Sequence, residues 1–222
     1  MKNETENKIR VFIADDHPIY RKGLREVIED DAELVIVGEA DDGEAAFEQI
    51  QSLAPEVAVL DIGMPKMNGF AVAEEVRALK IPAKIIFLTM YKERDAFNRA
   101  LDLGVKGYLL KDSAANEIVG GIKAVAGGGH YISPAISSFL VNRLAQADLL
   151  VVAHPGLQTL TPTENRILRL IAEKKTSKEI ADGLFVSPRT VDNHRANICQ
   201  KLDLRGGNAL LKFALEHKSE LS

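Results

Sequence analysis

Only one cysteine, Cys199, occurs among the 222 residues, so no disulfide can form within the chain and no cysteine-based metal spacing exists. No apolar run approaches the roughly 18 residues that a bilayer crossing needs. The first seven residues are polar and carry acids, unlike a secretory or transit leader. Internal repeats and low-complexity tracts are missing as well. These absences lead us to expect a cytoplasmic protein without a membrane partner. A strong charge of one sign is also absent overall, but the net charge of −4 hides an asymmetry. Residues 1–154 hold 17 Lys and Arg against 24 Asp and Glu, whereas residues 155–222 hold 11 against 8. An acidic front and a mildly basic tail suggest two jobs, with any nucleic-acid contact in the tail.

The patterning divides the same way. Residues 1–127 alternate short β-rich runs with 3.6-period segments, as successive βαβ units do. Strands are expected at Arg10–Ala14, Leu34–Gly38, Val57–Leu60, Lys84–Thr89 and Lys106–Leu109. Helices are expected near residues 18–30, 43–53, 68–79, 93–103 and 114–126. Val57-Ala-Val-Leu60 and Ile85-Ile-Phe-Leu88 lack alternation, which suits central parallel strands buried on both faces. The expected fold class is α/β, a five-stranded doubly wound parallel sheet. Gly127-Gly-Gly129 breaks the pattern, and residues 128–159 read as a linker. Within it, Ser133-Pro134 opens a helix expected to reach about Ala147, and Asp148–Thr159 is the linker proper. Residues 160–222 are purely helical in period. Thr161-Pro-Thr-Glu164 and Thr176-x-x-Glu179 are capping boxes, Ser187-Pro188 starts a third helix, and Arg205-Gly-Gly207 sets off a fourth. This small all-α, four-helix domain buries little core by itself.

Five residues fall where such a sheet would gather them: Asp15, Asp16, Asp61, Thr89 and Lys111. Each sits at or just past the C-terminal end of an apolar run, namely Val11–Ala14, Val57–Leu60, Ile85–Leu88 or Tyr108–Leu110. In open parallel sheets those ends line the ligand-binding edge. Three carboxylates there repel one another unless a divalent cation lies between them, and hard oxygen donors suit Mg²⁺. A hydroxyl and an ammonium beside them supply a donor and a positive charge for a phosphoryl group. Desolvation and a bound cation would let Asp61 attack phosphorus. Taken singly, each residue has an ordinary reading. Asp61 resembles a turn aspartate before Met64-Pro65, and Asp15-Asp16 an exposed acidic turn or a cap for Pro18. Thr89 is a strand-end threonine and Lys111 a solvated lysine. Their joint placement at successive strand ends is what points to an aspartate that carries phosphate.

Asp15-Asp16, Asp61-x-x-Met64-Pro65, Thr89 and Gly107-Tyr-Leu-Leu-Lys111 resemble the receiver domain of bacterial two-component response regulators, over roughly residues 8–127. The resemblance implies a flavodoxin-like fold and phosphorylation of Asp61 by a sensor histidine kinase, with Mg²⁺ required. It implies that Asp16, Asp61 and the Gly63 carbonyl ligate the metal, that Asp15 helps through water, and that Thr89 and Lys111 bind phosphoryl oxygens. Tyr108 matches the family's switch aromatic, and its ordinary reading is a partly buried edge tyrosine. A ring that can sit in or out is a bistable element that a threonine shift can bias. One departure is Asp112, where many receivers have proline; the subgroup with DNA-binding tails often lacks it.

In the tail, residues 176–191 pair two short helices across a tight turn. Ile180, Leu184, Val186, Val191, Ile198 and Leu202 fall at core positions. Arg189, Thr190, Asn193, Arg195 and Asn197 lie outside that stripe, and arginine and asparagine can each contact base edges bidentately in the major groove. Thr176, Ser177 and Lys178 are candidate phosphate contacts. A helical protein-docking domain has the same binary pattern. Leu160-Thr-Pro-Thr-Glu164, Lys178-Glu-Ile-Ala181 and Thr190-Val-x-x-His194-x-x-x-Ile198-x-x-Lys201-Leu202 resemble the LuxR-type helix-turn-helix. The whole chain is thereby identified as a member of the NarL/FixJ response regulators. Asp192 stands where many members carry lysine, and an acid facing phosphates weakens binding. His194 has two readings, a DNA contact or a half-buried core histidine, and Cys199 reads as packing.

The expected function is a transcription regulator gated by phosphate on Asp61, acting through homodimerisation or release of the tail. Helices near 93–103 and 114–126, or the first helix, are the candidate interfaces. The chain is not expected to be a metabolic enzyme, although it accepts a phosphoryl group and can assist its own dephosphorylation. Two alternatives differ in class. A Mg²⁺-dependent phosphohydrolase of the familiar type pairs its nucleophile with a second acid two residues on, where this chain has Gly63. A DNA binder indifferent to phosphate would keep the fold and lose the gate.

Overall fold

The computed structural model describes residues 8–90, 92–206 and 208–221; the polar start Met1–Asn7 and Gly207 of the tail's glycine pair lie outside them. Contacts divide the chain into two units, Met1–Ser137 and Ser138–Ser222.

In the first unit the β-branched runs form six parallel strands, one more than expected. They are β1 (Ile9–Ala14), β2 (Leu34–Ala40), β3 (Val57–Asp61), β4 (Lys84–Thr89), β5 (Gly107–Leu110) and β6 (Tyr131–Ile132), in the order β2-β1-β3-β4-β5-β6. The sixth pairs Tyr131 with Gly107 and Ile132 with Tyr108. Two residues after a glycine run carry no period, which is why the sequence pattern does not announce it. Five helices cross between or follow the strands: α1 (Pro18–Glu29), α2 (Gly43–Leu53), α3 (Gly69–Ala78), α4 (Arg94–Asp102) and α5 (Ala114–Ala126). Side chains alternate across each strand, so the sheet needs cover on both faces. Val11, Ile13, Val57, Val59, Ile86 and Leu88 pack with Leu24 and Ile28 of α1 and Ile118, Ile122 and Val125 of α5. Phe87 meets Phe70 of α3 edge-on at 5.0 Å on the other side. Between the paired strands β4 and β5, the Ile86 side chain fills the space beside Gly107, where an added Cβ would lie 2.7 Å from its Cγ1.

After a short 3₁₀ turn at Pro134–Ile136, α6 runs from Ser137 to Ala153. The expected end at about Ala147 is therefore six residues short, and half of the segment expected as linker is helix. Nothing from Gln146 to His154 is a stop signal such as Gly or Pro; Pro155 is the first. Pro134–Ala153 also overturns the expectation about apolar length. It is one helical stretch of 20 residues, long and apolar enough by length and composition alone to cross a membrane, with Arg143 and Asp148 inside it.

The second unit continues with α7 (Pro162–Ala172), α8 (Ser177–Leu184), α9 (Pro188–Lys201), α10 (Ala209–Glu216) and the single turn α11 (Lys218–Leu221), the last an addition to the four helices expected. Both capping boxes form: Thr161 with Glu164 and Thr176 with Glu179 each exchange side-chain and backbone hydrogen bonds. Ile167, Leu168, Ile171, Ile180, Val191, Ile198, Leu210 and Phe213 fill the core. Glu164 is nearly fully buried, and Lys201 at the end of α9 donates to its carboxylate at 2.6 Å. Lys201 also donates to the Thr159 carbonyl at 2.9 Å, so one ammonium ties α9 to the start of α7.

Burial pushes the Glu164 carboxyl up, but Lys201 and the Thr161 amide outweigh it and hold the group below its usual 4.5. A depressed folded value adds stability that is present above pH 4.5 and fades as pH falls through the lowered value. Thermal unfolding of Glu164→Gln should therefore be less stable than wild type at pH 7, and the gap should close as the pH is taken below 4.

Candidate functional site

The reversal of strand order creates the site. The strands β1 and β3 are neighbours, yet the chain leaves β1 for α1 on one face and β3 for α3 on the other, so a crevice opens at their C-terminal ends. Asp15 follows β1 directly and is fully buried, and Asp61 is the last residue of β3 at 5% exposure. Thr89 ends β4 and Lys111 follows β5, both buried. Asp16 is half-buried at the mouth.

The Lys111 ammonium lies 2.7 Å from Oδ2 of Asp15 and 2.8 Å from Oδ2 of Asp61. Burial works to lower its pKa, but the two carboxylates outweigh that and raise it, so it stays charged. Burial pushes the Asp61 carboxyl up, opposed by Lys111 and by the Gly63 amide, which donates to it. Tyr20 stacks beside Lys111, whose Nζ is 4.9 Å from its ring centroid. Below the site the loop is tight: a Cβ on Gly69 would lie 2.4 Å from the Asp61 carbonyl oxygen, so only glycine fits at the start of α3.

Four of the five residues expected to form one site therefore stand together, and Thr89 lies at the adjacent strand end, where its carbonyl accepts from the Lys111 amide at 2.8 Å. Three carboxylates face one ammonium, which leaves excess negative charge. Buried Oδ2 of Asp15 and Oδ1 of Asp16 make no hydrogen bond and have only ion-pair contacts, to Lys111 and His17. Such an oxygen-rich, electron-rich pocket fits a divalent cation. Two neighbours were not singled out by the sequence reading, His17 and Tyr20. The signal for His17 was its position directly after the acid pair.

Tyr108 is turned inward at 2% exposure, edge-on to Phe97 with ring centroids 5.3 Å apart. Burial pushes its hydroxyl up to about 12, opposed by the neighbouring Thr89 side chain, while the buried hydroxyl makes no hydrogen bond of good geometry. The aromatic and the threonine are thus in contact.

On the second unit α8 and α9 pair across a turn in which Phe185 adopts φ 56° and is 96% exposed. Lys178, Arg189, Asn193 and Asn197 are exposed. Others among the expected DNA contacts are engaged within the fold. Thr176 caps α8, Ser177 donates to Asp192 at 2.7 Å, and Thr190 shares a hydrogen bond with Ser187 at 2.8 Å. Arg195 is half-buried. The Nδ1 of His194 is buried without a partner, and Cys199 packs against the core.

Comparison with known proteins agrees with this division. Residues 11–123 match the response regulator receiver domain, and residues 158–214 match the luxR family of bacterial regulatory proteins. The chain belongs to the NarL/FixJ family of response regulators. This regulator is 34% identical over 218 residues to the probable transcriptional regulatory protein NarL of Mycobacterium tuberculosis, covering 98% of this chain and 99% of that one. It is 36% identical over 214 residues to the transcriptional regulatory protein LiaR of Bacillus subtilis, covering 96% and 99%. A solved complex of the response regulator RcsB with DNA superposes with a TM-score of 0.58 at 28% identity, covering 93% of the regulator and 98% of that chain. The family comprises DNA-binding regulators rather than metabolic enzymes.

Removing the ammonium should expose the repulsion it hides. Lys111→Met leaves the regulator's Asp15 and Asp61 facing each other without a counter-charge, a loss of about 3 kcal/mol expected at pH 7. Urea unfolding should show that deficit shrinking as carboxylates protonate at lower pH, and shrinking when millimolar Mg²⁺ is added.

Proposed function

We propose that this regulator switches its DNA affinity by carrying a phosphoryl group on Asp61. The observation that carries this reading is a nearly buried carboxylate at the sheet's switch point, held beside Lys111 and two further acids. The phosphoryl donor is a histidine of a partner kinase. An oxygen of Asp61 forms the new bond to phosphorus as the bond to the donor nitrogen breaks, and the imidazole departs. Lys111 is already charged and in reach of the transferred oxygens, and Thr89 donates its hydroxyl to another. Asp16, Asp61 and the Gly63 carbonyl would hold Mg²⁺, with Asp15 acting through water; the cation would neutralise charge on the phosphoryl oxygens. Gly63 offers no side chain to act as a second acid, which counts against a hydrolase.

The contact between Thr89 and Tyr108 supplies a route outward. As Thr89 closes on the phosphoryl group, the inward position that Tyr108 already holds is fixed further, which holds the surface around α4 and β5 in one arrangement. Two copies then pair, and each α9 enters the major groove of a near-palindromic operator. Arg189, Asn193 and Asn197 are placed to read bases, with Lys178 on a phosphate. Thr176, Ser177 and Thr190 also help to hold the motif, through the α8 cap and the bonds to Asp192 and Ser187, and with Arg195 they remain candidate contacts. The domain assignment that goes with this reading is receiver over 1–127, linker over 128–159 and DNA-binding domain over 160–222. Arg143 and Asp148 inside the apolar helix favour a cytoplasmic protein over a spanning one.

Treatment with a small-molecule phosphodonor and Mg²⁺ should add one phosphoryl mass to the intact wild-type chain and none to Asp61→Asn, with a shift toward dimer only in the wild type. Turnover of many donor molecules without a stable adduct would support the hydrolase instead.

A further inference from the structure

We propose that His17 is a metal ligand, so that the acidic pocket takes a borderline first-row cation such as Mn²⁺ or Ni²⁺ more tightly than Mg²⁺. The inference rests on the metal reading of Asp15, Asp16 and Asp61 above and concerns which cation that pocket selects.

His17 occupies the N-cap position of α1, but its side chain caps no backbone amide. Its own amide donates to Oδ1 of Asp15 at 2.9 Å, which draws the residue toward the pocket. Its ring is largely exposed. The ring instead points at the acids, with Nδ1 2.7 Å from Oδ1 of Asp16 and 3.2 Å from Oδ1 of Asp15. One donor atom from each of Asp15, Asp16, His17 and Asp61 lies within 4.8 Å of the others. Opposed ligands on a small divalent cation are about 4.3 Å apart, so roughly half an ångström of closure lets His17 join Asp16 and Asp61 as direct ligands, with Asp15 behind a water.

The chemistry of that set differs from an all-oxygen one. Mg²⁺ is hard, keeps its waters and gains little from a nitrogen donor. Imidazole suits Ni²⁺, Zn²⁺ and iron, and affinity for nitrogen-containing sites rises from Mn²⁺ toward Ni²⁺. The same distances have one competing explanation, a protonated His17 acting only as a counter-charge to the acids. The two differ in sign. Removing a ligand weakens the binding of nitrogen-favouring cations, whereas removing a competing positive charge leaves every cation unchanged or bound more tightly.

The test is calorimetric titration of the untagged full-length protein with Mg²⁺, Mn²⁺ and Ni²⁺, comparing wild type, His17→Phe and Asp16→Asn. Circular dichroism checks that the exposed substitution at 17 leaves the fold intact. Wild type should bind Ni²⁺ and Mn²⁺ more tightly than Mg²⁺. His17→Phe should lose at least about tenfold in Ni²⁺ affinity while Mg²⁺ affinity changes by less than about threefold. Pulsed electron paramagnetic resonance of the Mn²⁺ complex should show ¹⁴N coupling that His17→Phe abolishes. Equal losses for all three cations, no loss, tighter binding in His17→Phe, or no ¹⁴N coupling in wild type would overturn the proposal while leaving the pocket's metal reading intact. A wild type that binds no Mg²⁺, or an Asp16→Asn variant that binds all three cations as wild type does, would overturn both.

Discussion

The ammonium of Lys111 sits between two buried carboxylates at the edge of a parallel sheet, and the first unit is organised around that contact. Asp15 and Asp61 are carried there by β1 and β3, which are neighbours because the strand order reverses between them. Without the cation, like charges would face each other in a poorly solvated crevice. With it, the pocket still holds an excess of negative charge. The result is a site stable enough to fold and charged enough to draw in a divalent cation, and its lysine is already placed for an incoming phosphoryl group.

The second unit uses a similar device for a structural end. Lys201 reaches from the end of α9 to the buried Glu164 and to the Thr159 carbonyl, locking α9 against α7. A small helical domain has little core to spend, so a buried ion pair with a satisfied capping box does much of the positioning. The exposed side chains of α9 are then offered on a fixed frame.

Much of this was legible in the sequence, because the features that fix it are local. The apolar runs of β3 and β4, the capping residues Thr161, Thr176 and Ser187, and the strand-end positions of the five site residues all follow from spacing. What was not legible depends on tertiary context. The two-residue β6 exists only because β5 offers an edge. The α6 helix continues to Ala153 because nothing before Pro155 stops it. Among the candidate DNA contacts, Ser177 also bonds to Asp192, a partner that becomes visible only when α8 and α9 are packed. His17 was overlooked because its ring turns back onto the two acids that precede it, which spacing does not reveal.

The central claim is that phosphate at Asp61 changes what α9 does to DNA. The most direct measurement is the affinity for a selected operator duplex at fixed ionic strength, with and without phosphodonor, for wild type and Asp61→Asn. Wild-type affinity should rise at least about tenfold on phosphorylation, a coupling of about 1.4 kcal/mol, and Asp61→Asn should stay at the unphosphorylated value. Equal affinity in all four conditions would contradict the gate and leave a DNA binder whose phosphate site serves something else.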